Sequence, residues 1–292
     1  MTWLRTYLAI LGALWLTGCG APSGSGPDNS IPPSPALWEI TAPDGQTGWL
    51  FGTIHALEDG TTWRTPALDE AFGEAGVLVL ETDDLEDRSG LARTFSRLAT
   101  TPEQPPLSER VGGDHAAAVT ELAEELGYSD YAFADMETWA VAISLSRETA
   151  PSGEGIDRQL LRMRGDRQLV GLERSSDQLA AFDGLSEEDQ VALLVSVAED
   201  TEQPNARARR AASWRSGDLA FLEQETHEGM MRDPDLREAL LEGRNRRWLP
   251  KVEALVESGR KPFVAVGAAH LVSEIGLPVL LRREGYTVRR IQ

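Results

Sequence analysis

The sequence predicts an α/β fold, with a mixed, largely parallel central sheet flanked by helices and a large helical middle segment. Two observations predict it. Short apolar runs followed by a histidine occur near opposite ends of the chain, at Trp49–His55 (WLFGTIH) and Phe263–His270 (FVAVGAAH). Continuous runs of this kind are typical of strands buried on both faces, as in parallel sheets. Between them, from Leu85 to about Glu257, apolar residues recur mostly at helical spacing.

The start of the chain is predicted to lie outside this domain. Residues 1–18 resemble a secretory signal peptide, because Arg5 supplies a positive charge and Leu8–Leu16 is an apolar stretch too short for a stable membrane span. The stretch ends in Leu16-Thr17-Gly18-Cys19, which resembles a bacterial lipobox. Cys19 is therefore the predicted lipidation site. The alternative is an ordinary signal peptide followed by an unrelated cysteine.

A lipid on Cys19 would anchor the protein in the cell envelope. Residues 19–36 are rich in proline, glycine and serine, which predicts a flexible tether before a domain at residues 37–292. Gly20 stands where an aspartate would signal retention in the inner membrane. In a bacterium with two membranes, we therefore expect the outer membrane, with the domain facing the periplasm.

The domain is predicted to begin with a hairpin and to end with a strand, a helix and a last strand. The Pro43–Gln46 turn separates the first two strands. Predicted strands cover Leu37–Ile40, Trp49–Phe51, Gly76–Glu81, Arg167–Glu173, Phe263–Val266 and Thr287–Ile291. Predicted helices cover Ala67–Ala75, Ala116–Leu126, Met136–Leu145, Glu187–Glu199, a segment that begins at Asp233-Pro234 and is interrupted by Pro250, and Gly276–Arg283.

Composition excludes several function classes. The 28 basic and 47 acidic side chains give a net charge of −19, so nucleic acid and anionic membrane surfaces would repel the chain and are not expected partners. Cys19 is the only cysteine, which excludes disulfides and a thiol nucleophile in the domain. The sequence also lacks the phosphate-binding Gly-x-x-x-x-Gly-Lys, His-Glu-x-x-His and Gly-x-Ser-x-Gly motifs.

Four predicted strands end at chemically useful side chains: His55, Glu81, Glu173 and His270. Ligand sites in open α/β sheets collect at the carboxyl ends of strands, so these residues are candidates for one site. Two imidazoles with one or two carboxylates suit Zn²⁺, Mn²⁺, Co²⁺ or Fe²⁺, and a bound water would become a hydroxide nucleophile. His115 has the same spacing from a glycine but follows no apolar strand, so it is not a candidate.

The same residues allow metal-free chemistry, in which His55 or His270 is a general base oriented by a glutamate. Glu81, taken alone, is also compatible with the first solvated residue of a loop. Arg244 could anchor an oxyanion or a carboxylate, and a solvated arginine cluster on a helix is an equal alternative.

Five segments, in order, resemble the TraB/PrgY/GumN family, which includes the animal Tiki metalloproteases. They are LWEI…WLFGTIHAL, VLVLETDD, GIDRQLL…RQLVGLE, RNRRWLPKV and FVAVGAAHLV…GLPVLLRREGYTV, and they extend from about Leu37 to Ile291. The resemblance implies an α/β domain with two Gly-x-x-His turns and glutamates at one site. The wider group is similar to erythromycin-esterase-like hydrolases and to haem-binding ChaN-like lipoproteins.

The resemblance implies roles for individual residues. The family's histidines correspond to His55 and His270 as metal ligands, and its glutamates to Glu81 and Glu173. Its Arg-Asn pair corresponds to Arg244, a catalytic candidate with the glutamates, and Asn245, a substrate-binding candidate.

The resulting expectation is a surface-tethered hydrolase that depends on a divalent metal ion (Mn, Co or Zn) and acts on a peptide or small molecule. The alternative is a haem- or ligand-binding lipoprotein that uses the same histidines without catalysis. A catalytically inactive signal-binding protein is a third hypothesis.

Overall fold

The computed structural model describes residues 29–150, 153–201 and 203–292. The predicted signal peptide and the lipidation site Cys19 lie outside the described residues. In the part of the chain that is described, no helix is long and apolar enough to cross a membrane.

The predicted α/β architecture is confirmed. Six strands form one sheet in the order β4-β3-β5-β2-β1-β6. The four strands from β4 to β2 are mutually parallel, and β1 pairs antiparallel with both β2 and β6. The strands are β1 (Leu37–Thr41), β2 (Thr47–Thr53), β3 (Val77–Thr82), β4 (Gln168–Glu173), β5 (Pro262–Gly267) and β6 (Thr287–Arg290).

The helices flank this sheet and fill the middle of the chain, as predicted. They are α1 (Pro66–Glu74), α2 (Arg88–Leu98), α3 (Leu107–Val111), α4 (Ala116–Glu125), α5 (Thr138–Glu148), α6 (Ile156–Met163), α7 (Ser175–Asp183), α8 (Glu187–Thr201), α9 (Pro204–Ser216), α10 (Leu219–Glu225), α11 (Pro234–Arg237), a π-helical turn (Glu238–Glu242), α12 (Gly243–Glu257) and α13 (Leu277–Arg283). Short 3₁₀ turns cover Gly113–His115, Gly229–Arg232 and Ala268–Leu271.

Both faces of the sheet are covered, which explains the uninterrupted apolar runs in its central strands. On one face, Val264 and Val266 pack with Trp248 and other side chains of α12 and α13. On the other face, Phe51 and Phe263 pack with side chains of α1, α6 and α9. A third apolar core lies within the helical middle segment, among α2 to α5, α7, α8 and α11.

Local signals in the sequence account for several element boundaries. The predicted hairpin turn forms with Gly45 at a φ of +88°, a left-handed conformation that favours glycine. Thr65 caps α1 by accepting the Leu68 N–H, and Asp233 caps α11 in the same way.

Two sequence predictions need correction. Pro250 does not interrupt its helix, because α12 continues through it and buries Trp248, Val252 and Val256 against the sheet. The end of the predicted tether is also part of the domain. Asn29 bonds to Gly60 and Thr62, and Pro35 and Ala36 are buried, so the contacts of the domain begin before residue 37.

Candidate functional site

The four parallel strands end at one edge of the sheet. The register places Thr53 of β2 opposite Gly267 of β5, and Leu80 of β3 opposite Ala265 of β5. Thr82 of β3 is opposite Glu173 of β4. His55, Glu81, Glu173 and His270 therefore lie at the same edge.

Gly267 lies at the centre of this arrangement. A Cβ atom added there would be 3.2 Å from Glu81 Oε1, 3.7 Å from His270 Cδ2 and 3.8 Å from His55 Nε2. Both histidines and one of the glutamates thus surround a single backbone position. A larger residue at 267 would occupy the space between them.

His270 is buried in the 3₁₀ turn after β5, with 4% of its surface exposed. Its Nδ1 lies 2.7 Å from Asn245 Oδ1. The Asn245 amide nitrogen donates to the Ile275 and His270 carbonyls, so its oxygen is the atom that accepts from the His270 Nδ1–H. His270 Nε2 is consequently the unprotonated nitrogen, and burial together with the charge of Arg244 lowers the pKa of this imidazole to about 3.

Asn245 is completely buried on α12 and is committed to these bonds. It was predicted to bind substrate. Its contacts instead give it the task of orienting His270, because no part of its side chain is open to a ligand.

Arg244 joins the two glutamates. It donates from Nη2 to Glu81 Oε2 at 2.5 Å, and from Nε and Nη2 to Glu173 Oε1 at 3.0 and 2.7 Å. Its Nη1 lies 3.3 Å from His270 Nε2. The guanidinium also lies over the Trp248 ring, 4.6 Å from its centroid. Arg244 is therefore a buried, paired cation, in contrast to the solvated arginine of the alternative interpretation.

Glu81 is a buried carboxylate with both oxygens bonded. Oε1 accepts from the Gly267 N–H at 2.8 Å, and Oε2 accepts from Gln178 Nε2 at 3.0 Å as well as from Arg244. Burial acts to raise the pKa of Glu81, but the charges of His270, Arg244 and His55, together with the Gly267 N–H, outweigh it and lower the value to about 2. Gln178, on α7, is a member of this cluster that the sequence analysis missed.

Glu173 faces Arg244 and Trp248. Its second oxygen accepts from the Trp248 indole N–H at 3.1 Å. Because both of its oxygens are occupied by α12, Glu173 holds Arg244 in place and contacts no other site residue in this arrangement.

His55 lies just beyond β2 with its side chain 78% exposed. Its Nδ1 is 3.3 Å from Asp157 Oδ2, and the Thr53 hydroxyl donates to Asp157 Oδ1 at 2.8 Å. The hydrogen bond and the charge of Asp157 raise the pKa of His55 above its ordinary value, and water around the exposed ring limits that rise.

Asp157 was missed by the sequence analysis. It follows no apolar strand, because it stands in the first turn of α6. The signal in the sequence was Gly155-Ile156-Asp157 at a helix start, within a segment that resembles the family.

His115 is not part of this site. It is exposed in the 3₁₀ turn before α4, with Nδ1 3.8 Å from Glu199 in the helical middle segment. The absence of an apolar strand before it correctly separated it from the other two histidines.

The two histidines each leave one ring nitrogen that could bind a divalent ion. The Nε2 atoms of His55 and His270 are the nitrogens not engaged by Asp157 and Asn245, which is the usual orientation of metal-bound imidazoles. Glu81 is less open, since Arg244 and Gln178 bond to it. Among the described residues, three candidate ligand atoms lie within 4.8 Å of one another only at Asp189, Asp233 and Asp235, in the helical segment. Metal binding at the histidines stays a prediction.

Comparison with known proteins identifies the family of this chain. A family model described as TraB/PrgY/gumN family matches residues 36–290. The chain belongs to the TraB/PrgY/gumN family. All six predicted site residues of the domain, and Asp157, lie within this matched range.

Two relatives of this TraB/PrgY/gumN family member carry the name Uncharacterized protein YbaP, one from Shigella flexneri and one from Escherichia coli (strain K12). Each is 26% identical over 265 residues, covering 85% of this chain and 92% of the relative. No solved structure matches the chain.

Proposed function

We propose that this protein is a hydrolase that activates water at the edge formed by β2, β5, β3 and β4. One observation carries the proposal: two imidazoles, each held through Nδ1, surround Gly267 together with a carboxylate and a paired guanidinium. Such a set provides a proton acceptor and a positive charge at one point, which hydrolysis of an ester or amide requires.

His55 is the proposed general base. Its ring is exposed, so water and substrate can reach Nε2, and Asp157 stabilises the protonated ring. Nε2 takes a proton from water as the water oxygen attacks the substrate carbonyl carbon. The same proton then passes to the leaving oxygen or nitrogen as its bond to carbon breaks.

Arg244 is the proposed source of positive charge for the developing oxyanion, through Nη1, the guanidinium nitrogen that donates to the Leu240 carbonyl and faces neither glutamate. Glu81 and Glu173 fix its guanidinium from two sides, so no reorganisation is needed during the reaction. His270 stays neutral beside it. Glu81 and Glu173 therefore contribute by holding Arg244 in position.

A metal-dependent form of the same hydrolase is the second candidate: a divalent ion (Mn, Co or Zn) would be held by His55 and His270, and His55 would then be a ligand and not the general base. When bound, the ion would supply a water of lowered pKa. Arg244 Nη1 lies 3.3 Å from His270 Nε2, so binding requires this guanidinium to move away from the ring.

The test is turnover of fluorogenic ester and peptide panels by the mature lipoprotein in detergent. Assays are run after dialysis against chelator, and again with Mn²⁺, Co²⁺ or Zn²⁺. Turnover lost in His55→Ala and kept in His115→Ala supports the hydrolase, and elemental analysis reports the metal. No turnover under any condition, with a Soret band on haemin titration that is lost in His55→Ala or His270→Ala, would favour the haem-binding lipoprotein.

The proposed location is the cell envelope, through a lipid on Cys19; in a bacterium with two membranes it is the outer membrane, with the domain facing the periplasm. The proposed substrates are peptides or small molecules, and no nucleic acid partner is expected at a net charge of −19.

A further inference from the structure

We infer that Asp157 is a positioning residue that fixes His55 with Nε2 directed into the site and Nδ1 directed away from it. This inference rests on the proposed function for its catalytic meaning. The orientation itself is a property of the folded chain that can be measured without any substrate.

The hydrogen-bonding capacity of Asp157 determines the orientation. An ionised carboxylate only accepts, so both of its neighbours must donate. Thr53 Oγ1 donates to Oδ1 at 2.8 Å, and this bond keeps Oδ2 directed at His55 Nδ1, 3.3 Å away. In the neutral ring the proton is therefore on Nδ1, and Nε2 carries the lone pair that the site uses.

The backbone places Asp157 beside His55. The Ile156 N–H donates to the Ile54 carbonyl at 2.9 Å, which joins the start of α6 to the end of β2. Gly155 makes this approach feasible, because a Cβ there would lie 2.3 Å from the His55 carbonyl oxygen. Thr53 is 2% exposed and the Asp157 side chain is 14% exposed, so both supporting groups are better shielded from water than the His55 ring.

The second histidine is held in the same way. Asn245 Oδ1 accepts from His270 Nδ1 at 2.7 Å, which leaves Nε2 towards the site. Two elements outside the sheet, α6 and α12, thus supply one acceptor each. The acceptor at the exposed His55 is the charged Asp157, and the acceptor at the buried His270 is the neutral Asn245. A charged acceptor stabilises a ring that takes up a proton during turnover, so Asp157 suits His55.

The experiment is ¹⁵N NMR of the histidine-labelled full mature chain in detergent, at a pH where the His55 ring is neutral. The chain has four histidines, so His→Ala variants assign every ring. We expect wild-type His55 to carry its proton on Nδ1. In Asp157→Ala we expect the His55 signals to move towards the Nε2–H form, because the acceptor is lost. In Asp157→Asn we expect the same change, because the Thr53 hydroxyl would retain the amide oxygen and the NH₂ group would face Nδ1. The His270 signals should stay unchanged in both variants.

Turnover provides the second readout. We expect kcat to fall about 100-fold in Asp157→Asn with little change in KM, since the ring is misoriented while the substrate surface is intact. Asp166→Asn, at an exposed position after the same helix, is the matched control and should behave as wild type. A wild-type His55 protonated on Nε2, or a tautomer unchanged in Asp157→Ala, would overturn the inference. Failure of the hydrolase proposal leaves the tautomer result readable, because the two measurements are independent.

Discussion

His55 and His270 carry the same side chain in opposite environments. His55 is exposed beside the anionic Asp157, whereas His270 is buried between Asn245 and Arg244. The pKa of His55 is raised, so its ring becomes a proton acceptor as the pH rises towards that raised pKa, whereas the lowered pKa of His270 keeps its ring neutral at neutral pH. This separation is compatible with the proposed roles of proton transfer at His55 and a neutral lone pair at His270.

The two histidines should act as one unit. We expect His55→Ala to reduce kcat/KM by about 100-fold or more, as loss of a general base does, and His270→Ala to have an effect of similar size. The double variant should lose little more, because groups that act together are not additive. His115→Ala is the control and should keep full activity. Substantial turnover in His55→Ala, or losses that add in the double variant, would contradict a shared site.

Glu81 should make stability depend on acid pH. Its pKa in the folded protein is about 2, against an ordinary value of 4.5. A depressed folded pKa means that the stabilisation is complete above about pH 4.5 and is lost as pH falls towards 2. The size is up to about 3 kcal/mol. Thermal unfolding of wild type and Glu81→Gln across this range is the measurement. The variant should lose less stability on acidification, and parallel curves would show that Glu81 is not the group responsible.

At the scale of elements, the strands that end at the site could be predicted from the sequence, whereas the helix residues that contact those strand ends could not. Apolar runs in the sequence predict β2, β3, β4 and β5. Because these strands are parallel, their carboxyl ends lie at one edge of the sheet. Asp157 and Gln178 stand in helices whose own pattern says nothing about which strand they meet. Their positions depend on packing between segments far apart in sequence.

The same limit explains the error at Pro250 and the two alternatives left open at Arg244. Arg244 follows the π-helical turn Glu238–Glu242, which changes the direction of side chains after it and has no signature in the sequence. Pro250 usually breaks a helix, but burial of Trp248 and Val252 in the sheet core outweighs the lost hydrogen bond.

The junction of β2 and α6 provides a test at this scale. In Gly155→Ala, the new Cβ would approach the His55 carbonyl to 2.3 Å, so one of the two segments must shift. We expect a loss of about 1–3 kcal/mol in unfolding free energy and lower turnover, although every site side chain is kept. Gly73→Ala in α1, where no heavy atom lies within 4 Å, is the matched control and should be neutral or slightly stabilising. Wild-type activity in Gly155→Ala would show that this close approach does not position Asp157.

At the scale of the whole molecule, one continuous helical segment joins the two halves of the fold. Leu236 and Leu240 pack in the helical core, and Trp248 and Val252 pack against the sheet. Arg244 lies between these pairs, next to both glutamates. A displacement of the helical middle segment would therefore move Arg244 and change the charge at the site.

If Cys19 carries the predicted lipid, the number of residues between Cys19 and Asn29 sets how far the domain can lie from the membrane. Asn29 bonds to Gly60 and Thr62 in the loop after His55, so only residues 20–28 separate the predicted lipid from the domain. Nine residues reach at most about 30 Å when fully extended. The candidate site would then work close to the membrane surface, with a short reach.

The last prediction concerns lipid attachment at Cys19. Cys19 is the only cysteine, so a palmitate analogue fed to cells should label the wild-type protein and leave Cys19→Ser unlabelled. Cys19→Ser should stay as an unprocessed precursor or be released by another peptidase, because lipobox cleavage needs the modified thiol. Ser23→Ala, just beyond the cleavage point, should keep both the label and membrane fractionation. Unlabelled wild-type protein would refute the lipobox and leave an ordinary exported domain. The sheet-edge site would stand unchanged in that case, since the described hydrogen bonds that hold its side chains join residues from Thr53 onward.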